Sequence, residues 1–561
     1  MKKIYGLIIA SLIGTVPAMA QHEVECDFTS ISSNITSNTT LSASTLYRLE
    51  GCIHVTSGNT LTIPAGTTIM GEKASGGTLI IDRGAQLVSQ GTAMNPVVFT
   101  SDQVPAWRAP NDWGGIAVLG YAKNNQSNSI TLSTNRDCSV TGGGTNNSDN
   151  SGVFKYMRIE YPRYGLSMNS IGNGTEFHHV EVLNAAENSL ELYGGTVNFK
   201  YFISVNAKRS DILATHGNLS KGQYILGLRL DPLAYVSTGD LSNGIVFANN
   251  NDAGSNYASS AGADDGHTVL SNVSLFGPGY CGSTSYNSNF KYGVLFYHNA
   301  GGGVYNSIIT GWREGLRLED FAKDNADINY TVNASENTYY NNLQDYNPLT
   351  VWPANCATDI DDWMLGTSPS SCRQRNNQFS PTELGLSSTI CGDFCTTSPS
   401  FVLNTSASGY DLAIPHYNLA ADLSNVFFDA ASYRGAFDNA TDWGAGWANY
   451  CIEDISYCPE ERRVGGTTGI KGMNMADNNG LILSPNPVHG ITYAEFATEQ
   501  AGQVTVTVVN SVGQVVRTLS HNATKGKQRV AVSTDGLSSG MYIINVDLSA
   551  GKAAHARVIV K

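Results

Sequence analysis

The sequence predicts an all-β chain: a right-handed parallel β-helix (a solenoid) followed by a small C-terminal immunoglobulin-like β-sandwich. Three observations carry this prediction. Short β runs recur at a near-constant step through the middle of the chain, hardly any stretch has a helical period, and the residues from Leu481 onward alternate apolar and polar.

The recurrence is clearest between Gly152 and Ala207. Val153-Phe-Lys-Tyr-Met-Arg-Ile, Glu176-Phe-His-His-Val-Glu-Val and Asn198-Phe-Lys-Tyr-Phe-Ile-Ser lie over one another at offsets of 23 and 22 residues. Apolar residues follow each Phe at three and five positions: Phe154, Met157, Ile159; Phe177, Val180, Val182; Phe199, Phe202, then a lapse at Ser204. A flat strand would alternate and a helix would repeat at three and four, so this spacing describes a strand entered through a bend. Gly165-Leu166-Ser167-Met168, Ser189-Leu190-Glu191-Leu192 and Asp211-Ile212-Leu213 keep the same step. Units this short bury an apolar face only by stacking, which places Phe154, Phe177 and Phe199 in one interior column at about 4.8 Å per coil.

With 14% charged residues, 58 Gly and a net charge of −14, the chain reads as a turn-rich β protein. Average globular charge content is roughly 25%. No basic cluster offsets the negative charge, so nucleic acid and anionic membranes are poor partners. Ten cysteines fit an oxidising compartment. Cys26 with Cys52, Cys356 with Cys372, Cys391 with Cys395 and Cys451 with Cys458 are close enough in sequence to pair, leaving Cys138 and Cys281 to join across loops; spacing alone does not fix the connectivity.

Lys2 and Lys3, the apolar run Ile4 to Val16 and the small-residue pattern Ala18-Met19-Ala20 make residues 1–20 a signal peptide, with cleavage between Ala20 and Gln21. The run is short of the roughly 20 residues that span a membrane, and no transmembrane helix is expected in the mature chain. Residues 21–57, rich in Ser, Thr and Asn, read as an N-terminal cap, and 58–458 as the β-helix with a disulfide-rich C-terminal cap. Its first coils are the Gly- and Pro-punctuated runs from Leu61, Thr78, Asn95 and Asp112. Asn124 to Ser151 reads as an inserted polar loop. Later coils follow at Gly244, Val269, Gly293, Val304 and Gly315, with Asn272 and Asn306 at the bend that Tyr156 and Tyr201 hold earlier. Asn tolerates the left-handed backbone such a bend demands.

Pro64-Ala-Gly-Thr-Thr-Ile69, Gly91-Thr-Ala-Met-Asn-Pro-Val-Val-Phe-Thr-Ser101, Asn111-Asp-Trp-Gly-Gly-Ile116, Tyr433-Arg-Gly-Ala-Phe-Asp438 and Asp442-Trp-Gly-Ala-Gly-Trp447 resemble segments of large surface or secreted β-helix proteins of Bacteroidetes. That resemblance implies the fold over residues 50 to 450 and no particular activity. Residues 459–480 form a linker, and 481–561 closely resemble the C-terminal sorting domain of the type IX secretion system. The matching residues are Pro485, Asn486, Pro487, the Gly513 hairpin, the Leu-Ser-Ser-Gly540-Met-Tyr542 segment and the basic C-terminus. The resemblance implies a partner, the type IX machinery, and a destination, the medium or the outer-membrane surface after export to the periplasm.

Candidate chemistry is sparse. His178-His179-Val-Glu181 has the residue types of a metal site, but the repeat aligns these positions with Lys155, Tyr156 and Arg158 and with Lys200, Tyr201 and Ile203, which favours scaffold or surface roles. Asp264-Asp265-Gly-His267 is the best acidic cluster. It reads first as a solvated turn, second as a Ca²⁺ site, and third as part of a catalytic carboxylate pair without its partner motif. No other cofactor is implied and the metal-binding residues are unknown. Arg158 over Glu181 is expected as an exposed ion pair of at most about 1 kcal/mol. The expectation is therefore a non-enzymatic, adhesin-like protein binding glycan or another extracellular partner. The alternative is a polysaccharide lyase or glycoside hydrolase for acidic polysaccharide acting through Asp264, Asp265 and His267.

Overall fold

The computed structural model describes residues 26–126, 129–133, 138–230, 242–249, 267–282, 286–319, 322–327, 331–347, 352–355, 357–366, 377–379, 384, 390–391, 394, 399–402, 421–451, 455–458, 481–484, 488, 490–498, 500–510, 514–538, 540–548 and 552–560. They fall into two compact units, Met1–Ile455 and Ser456–Lys561.

The first unit is a parallel β-helix. One ten-stranded sheet takes its strands strictly in chain order, from Cys52–Val55 through Gly115–Leu119, Leu166–Asn169, Leu190–Tyr193, Ser210–Thr215, Asn243–Phe247 and Tyr292–Phe296 to Gln344–Tyr346. A 17-stranded sheet forms the rest of the wall, and its long strands Gly152–Glu160, Glu176–Leu183, Asn198–Val205, Lys221–Leu228 and Val269–Phe276 are bent. The bend falls where the sequence predicts it. Tyr156, His179, Tyr201, Tyr224, Asn272, Asn306 and Glu336 occupy equivalent places in successive coils and all have positive φ, between 46° and 62°. One left-handed residue re-aims the strand, so apolar side chains three and five positions after each Phe both return to the interior.

Phe154 pairs in register with Phe177, and the rings of Phe177 and Phe199 stack at 5.2 Å. All three are buried. Beyond Phe199 the column meets Gly222, then Leu270, Val304 and Ala334. A Cβ on Gly222 would lie 2.6 Å from Phe199 Cζ and 2.7 Å from Leu270 Cδ2, so only glycine leaves room between those two side chains. The lapse at Ser204 is filled by polar chemistry. Its hydroxyl donates to Asp211, which is paired at 2.6 Å with Arg229, and Arg229 also donates to the Asn243 carbonyl at 2.8 Å. Both charged side chains are fully buried, and the hydrogen bonds offset a large part of that desolvation.

Four sequence expectations need correction. Residues 26–57 hold strands of the first two coils rather than a separate cap: Thr29–Ile31 pairs with Leu46–Leu49, which pairs in turn with Thr68–Gly71, and Cys52–Val55 pairs with Thr78–Ile81. Within the expected polar loop, Ile130–Ser133 and Ser139–Gly142 form an antiparallel hairpin. Disulfides join Cys52 to Cys138 and Cys281 to Cys391, with Cα separations of 6.0 and 5.6 Å, instead of linking neighbours in sequence. Stacking brings residues from distant coils together, so sequence proximity misleads. Cys26, Cys451 and Cys458 are also in disulfides, whereas Cys356, Cys372 and Cys395 lie outside the described residues.

The fourth correction concerns the far end. Apolar Ile360, Trp363 and Met364 of the short helix Ile360–Leu365 pack into the main core there. Asp359 caps its first turn by accepting from the Asp362 N–H, and Gly366 ends it at φ 68°. Residues 421–451 and Ile455, expected in that cap, instead run back along the outside of the rod. Arg434 binds Glu336 and the Asn337 carbonyl, Gly435 N–H donates to the Asn306 carbonyl, and Ala436 N–H donates to Ser274 Oγ. Trp443 then packs on Tyr201, Trp447 on His179 and Tyr156, and the Ile455 carbonyl accepts from Arg108. This strap covers a second apolar core on the outer face, built from Tyr161, Leu183, Ile203, Leu226, Leu228 and Phe276 on the coils and Phe401, Phe437 and Trp447 above them.

The second unit has two antiparallel sheets. Ile482–Ser484, Ile491–Thr498 and Gly526–Ser533 form one; Val515–Ala523, Gly502–Asn510, Gly540–Leu548 and Lys552–Val560 form the other. Val504, Val506 and Val508 alternate inward and share a core with Phe496, Val532, Ile544 and Val558.

Candidate functional site

The outer face of the ten-stranded sheet holds a group of interacting ionisable side chains around Glu191. In Leu190–Tyr193 the two leucines point into the core, which turns Glu191 and Tyr193 outward. Glu191 lies in register between Ser167 and Leu213, and Tyr193 between Asn169 and Thr215. At the adjoining corner, Arg163, Glu187 and Arg209 sit one above another: the Glu187 N–H donates to the Arg163 carbonyl and the Arg209 N–H to that of Glu187. The coil repeat therefore builds a plus–minus–plus column beside the Glu191 strand.

Glu191 is 3% exposed. It accepts from Ser167 Oγ, from Asn188 Nδ2 at 2.8 Å and from the Tyr193 hydroxyl at 3.5 Å. Burial, reinforced by the charge of Glu187, raises its carboxyl above the usual range, against the pull of Ser167, Asn188 and Arg209. Glu187 faces Arg209 at 3.6 Å and Arg163 at 4.0 Å. The Arg163 guanidinium lies 5.4 Å from the centre of the Tyr164 ring. Burial first, then the two glutamates, raises the Tyr164 phenol; burial and Glu191 raise that of Tyr193 further. Arg163 and Arg209 keep 37% and 45% of their side chains exposed, so the column is open to solvent while Glu191 is sheltered beneath it. Such a face offers guanidinium donors, carboxylate acceptors and two phenol rings to a polyhydroxylated ligand.

The residues singled out from sequence fall elsewhere. Asp264 and Asp265 lie outside the described residues. His267 faces Asp422 of the strap at 3.3 Å, and Asp422 also accepts from the Tyr305 hydroxyl and from Asn333. His179 belongs to a ladder of rings: Tyr156 and Tyr201 stack on its two faces at 4.4 Å each, and Tyr224 stacks on Tyr201 at 5.1 Å. Burial and the neighbouring His178 push its imidazole down to about 4. His178 meets His179 through the Nδ1 atoms at 2.8 Å and Glu176 at 3.1 Å. Among the described residues no group of three or more His, Cys, Asp or Glu is arranged to hold a metal ion. Arg158 does pair in register with Glu181, but Glu181 is fully buried under the strap rather than exposed. Of the sorting-domain motif, Pro485, Asn486, Pro487 and Gly513 are outside the described residues, as are Ala20 and Gln21. Gly540 opens a strand, and Tyr542 is buried with its hydroxyl on the Ser538 carbonyl at 2.9 Å. The sequence reading missed Glu191, although a lone carboxylate between two core leucines is a legible signal.

Comparison with known proteins bears on both units. The pectate-lyase-like β-helix domain family matches residues 33–363. The chain belongs to that family. The secretion system C-terminal sorting domain matches residues 483–561, so this member is exported by the type IX route to the medium or the outer-membrane surface. Among solved structures, the family member is similar to the enzymatically active domain of tailspike protein 2 from bacteriophage CBA120, at 10% identity and a TM-score of 0.22 over 92% of this chain and 72% of that one. The full-length tailspike protein 2 of the Escherichia coli O157:H7 bacteriophage gives 10% identity and a TM-score of 0.20, over 92% of this chain and 64% of that one. No curated protein matches.

Proposed function

We propose that this exported β-helix binds a glycan across the outer face of its ten-stranded sheet. The observation that carries the reading is the Arg163–Glu187–Arg209 column standing beside Tyr164, Glu191 and Tyr193. Guanidinium and carboxylate groups at one-coil spacing bind successive hydroxyls or carboxylates of a polysaccharide, and the phenol rings pack on its sugar faces. Surface export places this face where extracellular glycans are met. The test is retention of the mature chain on immobilised pectins, alginates and host glycans. Retention by the native chain, lost in Arg209→Ala and Tyr164→Ala, supports the reading; equal retention by all three proteins overturns it.

One observation favours a second reading. Glu191, with its carboxyl raised, and Glu187 are a pair of carboxyls in different environments, as glycosidic hydrolysis requires. In that case Glu191 protonates the leaving glycosidic oxygen while Glu187 takes a proton from the attacking water. Product release from one of the same glycans, abolished in Glu191→Gln, would establish it; retention without product release rejects it.

A further inference from the structure

A second place on the same sheet face, near its first strands, has the form of a small ligand site. A cleft of about 310 Å³ is lined by His54, Asp82, Arg83, Tyr121, Ser139 and Thr141, among others. Its floor is the outer side of the first coils, and its wall is the hairpin Ile130–Ser133 with Ser139–Gly142. The wall is fixed twice. Cys138 is bonded to Cys52 beside the floor, and Cys138 and Val140 pack on Ile80, Ala117 and Leu119. Asn169 also donates to the Ile130 carbonyl at 2.8 Å, so the hairpin stands between this cleft and the Glu191 strand.

The polar groups in the cleft are held in place. His54 Nδ1 meets Asp82 Oδ1 at 2.8 Å, which orients the imidazole. Arg83 donates one N–H to the Gly143 carbonyl at 2.9 Å, and its guanidinium lies 5.3 Å from the centre of the Tyr121 ring. Asp82 is held against His54, while the Arg83 guanidinium spends one donor on Gly143 and keeps others for a ligand. Tyr121 is 38% exposed, which leaves a ring face available for packing. The Ser57, Ser139 and Thr141 hydroxyls complete the rim.

We propose that this cleft binds one terminal sugar residue that carries a carboxylate. The volume stands at the lower bound of small-ligand pockets, which suits a single ring and not a chain. The carboxylate meets Arg83, the ring packs on Tyr121, and His54 with the rim hydroxyls takes the sugar hydroxyls. This site is separate from the column at Arg163, Glu187 and Arg209 and does not depend on the function proposed for it.

The test is calorimetric titration of the disulfide-intact mature chain with glucuronate, N-acetylneuraminate and, as the neutral control, galactose. One or both acids should bind saturably and galactose at least about tenfold more weakly. Arg83→Met and Tyr121→Ala should each weaken the acid by about tenfold or more with an unchanged melting temperature, while Arg209→Ala leaves its binding intact. Absence of saturable binding by both acids overturns the proposal. So does galactose binding as tightly as the acids, or acid binding that survives Arg83→Met. A loss caused by Arg209→Ala instead assigns the acid to the other site and also overturns it.

Discussion

The backbone N–H of Asn449 donates to both carboxylate oxygens of Glu181, at 3.1 and 3.0 Å, across a sequence separation of 268 residues. Glu181 lies on the outer side of a bent strand, where the repeat alone would leave it wet; the strap seals it. Burial pushes its carboxyl up to about 8, with Glu160 adding to the rise and Arg158 and the Asn449 N–H opposing it.

The folded state therefore holds the Glu181 proton more tightly than the unfolded chain does. Its contribution to stability is fully present below the ordinary value of 4.5 and is lost as pH rises through about 8. Hydrogen-exchange protection in residues 433–451, corrected for the base-catalysed intrinsic rate, should be greater at pH 5 than at pH 9. Glu181→Gln, which keeps the shape and removes the titration, should flatten that difference; an unchanged pH profile in the variant would contradict the assignment.

Arg434 is expected to be the most sensitive single position in the strap. Its side chain and that of Glu336 are 5% and 1% exposed, so Arg434→Ala leaves a buried carboxylate without its cation and should cost about 3–5 kcal/mol. Arg434→Lys should recover only part, because one ammonium replaces a planar fork that reaches Glu336, the Asn337 carbonyl and Thr338 together. Urea unfolding followed by tryptophan emission measures both.

In the interior column, Phe199→Ala should destabilise by about 3–5 kcal/mol. Gly222→Ala should cost about 1–3 kcal/mol by pressing on the Phe199 ring. Because the two residues are in contact, Phe199→Leu combined with Gly222→Ala should cost less than the sum of the separate changes. A strictly additive double-mutant cycle, measured by denaturant unfolding, would contradict the packing described.

Removal of residues 483–561 should leave the rest of the protein in the periplasm, because that segment is the sorting domain. Immunoblots of periplasm, outer membrane and medium check this, and surface display of the shortened chain would contradict it.

Where the sequence was legible, one residue carried one job. The Phe154, Phe177 and Phe199 column and the bend at Tyr156, Tyr201, Asn272 and Asn306 could be read because each coil repeats the same steric demand at the same step. The strap could not. Tyr433, Arg434, Gly435, Trp443 and Trp447 stood out as a motif, but their partners Asn272, Glu336, Asn306, Tyr201 and His179 belong to different coils, and no local period links them. The same blindness misassigned the cysteines and left Glu181 on the surface. Glu187 was overlooked for another reason: its column is assembled from the corners of three coils, so Arg163 and Arg209 say nothing about it until the stack is built.

The donor bond from Arg108 to the Ile455 carbonyl has a consequence for how the rod comes apart. A simple stack unzips from its free end, one layer at a time. Here a segment made after the last coil is spliced along layers made much earlier, so loosening the last layer pulls on the first ones. A protease that nicks the connection between residues 366 and 421 would yield two chains and still one particle, because residues 433–451 stay clasped to the coils.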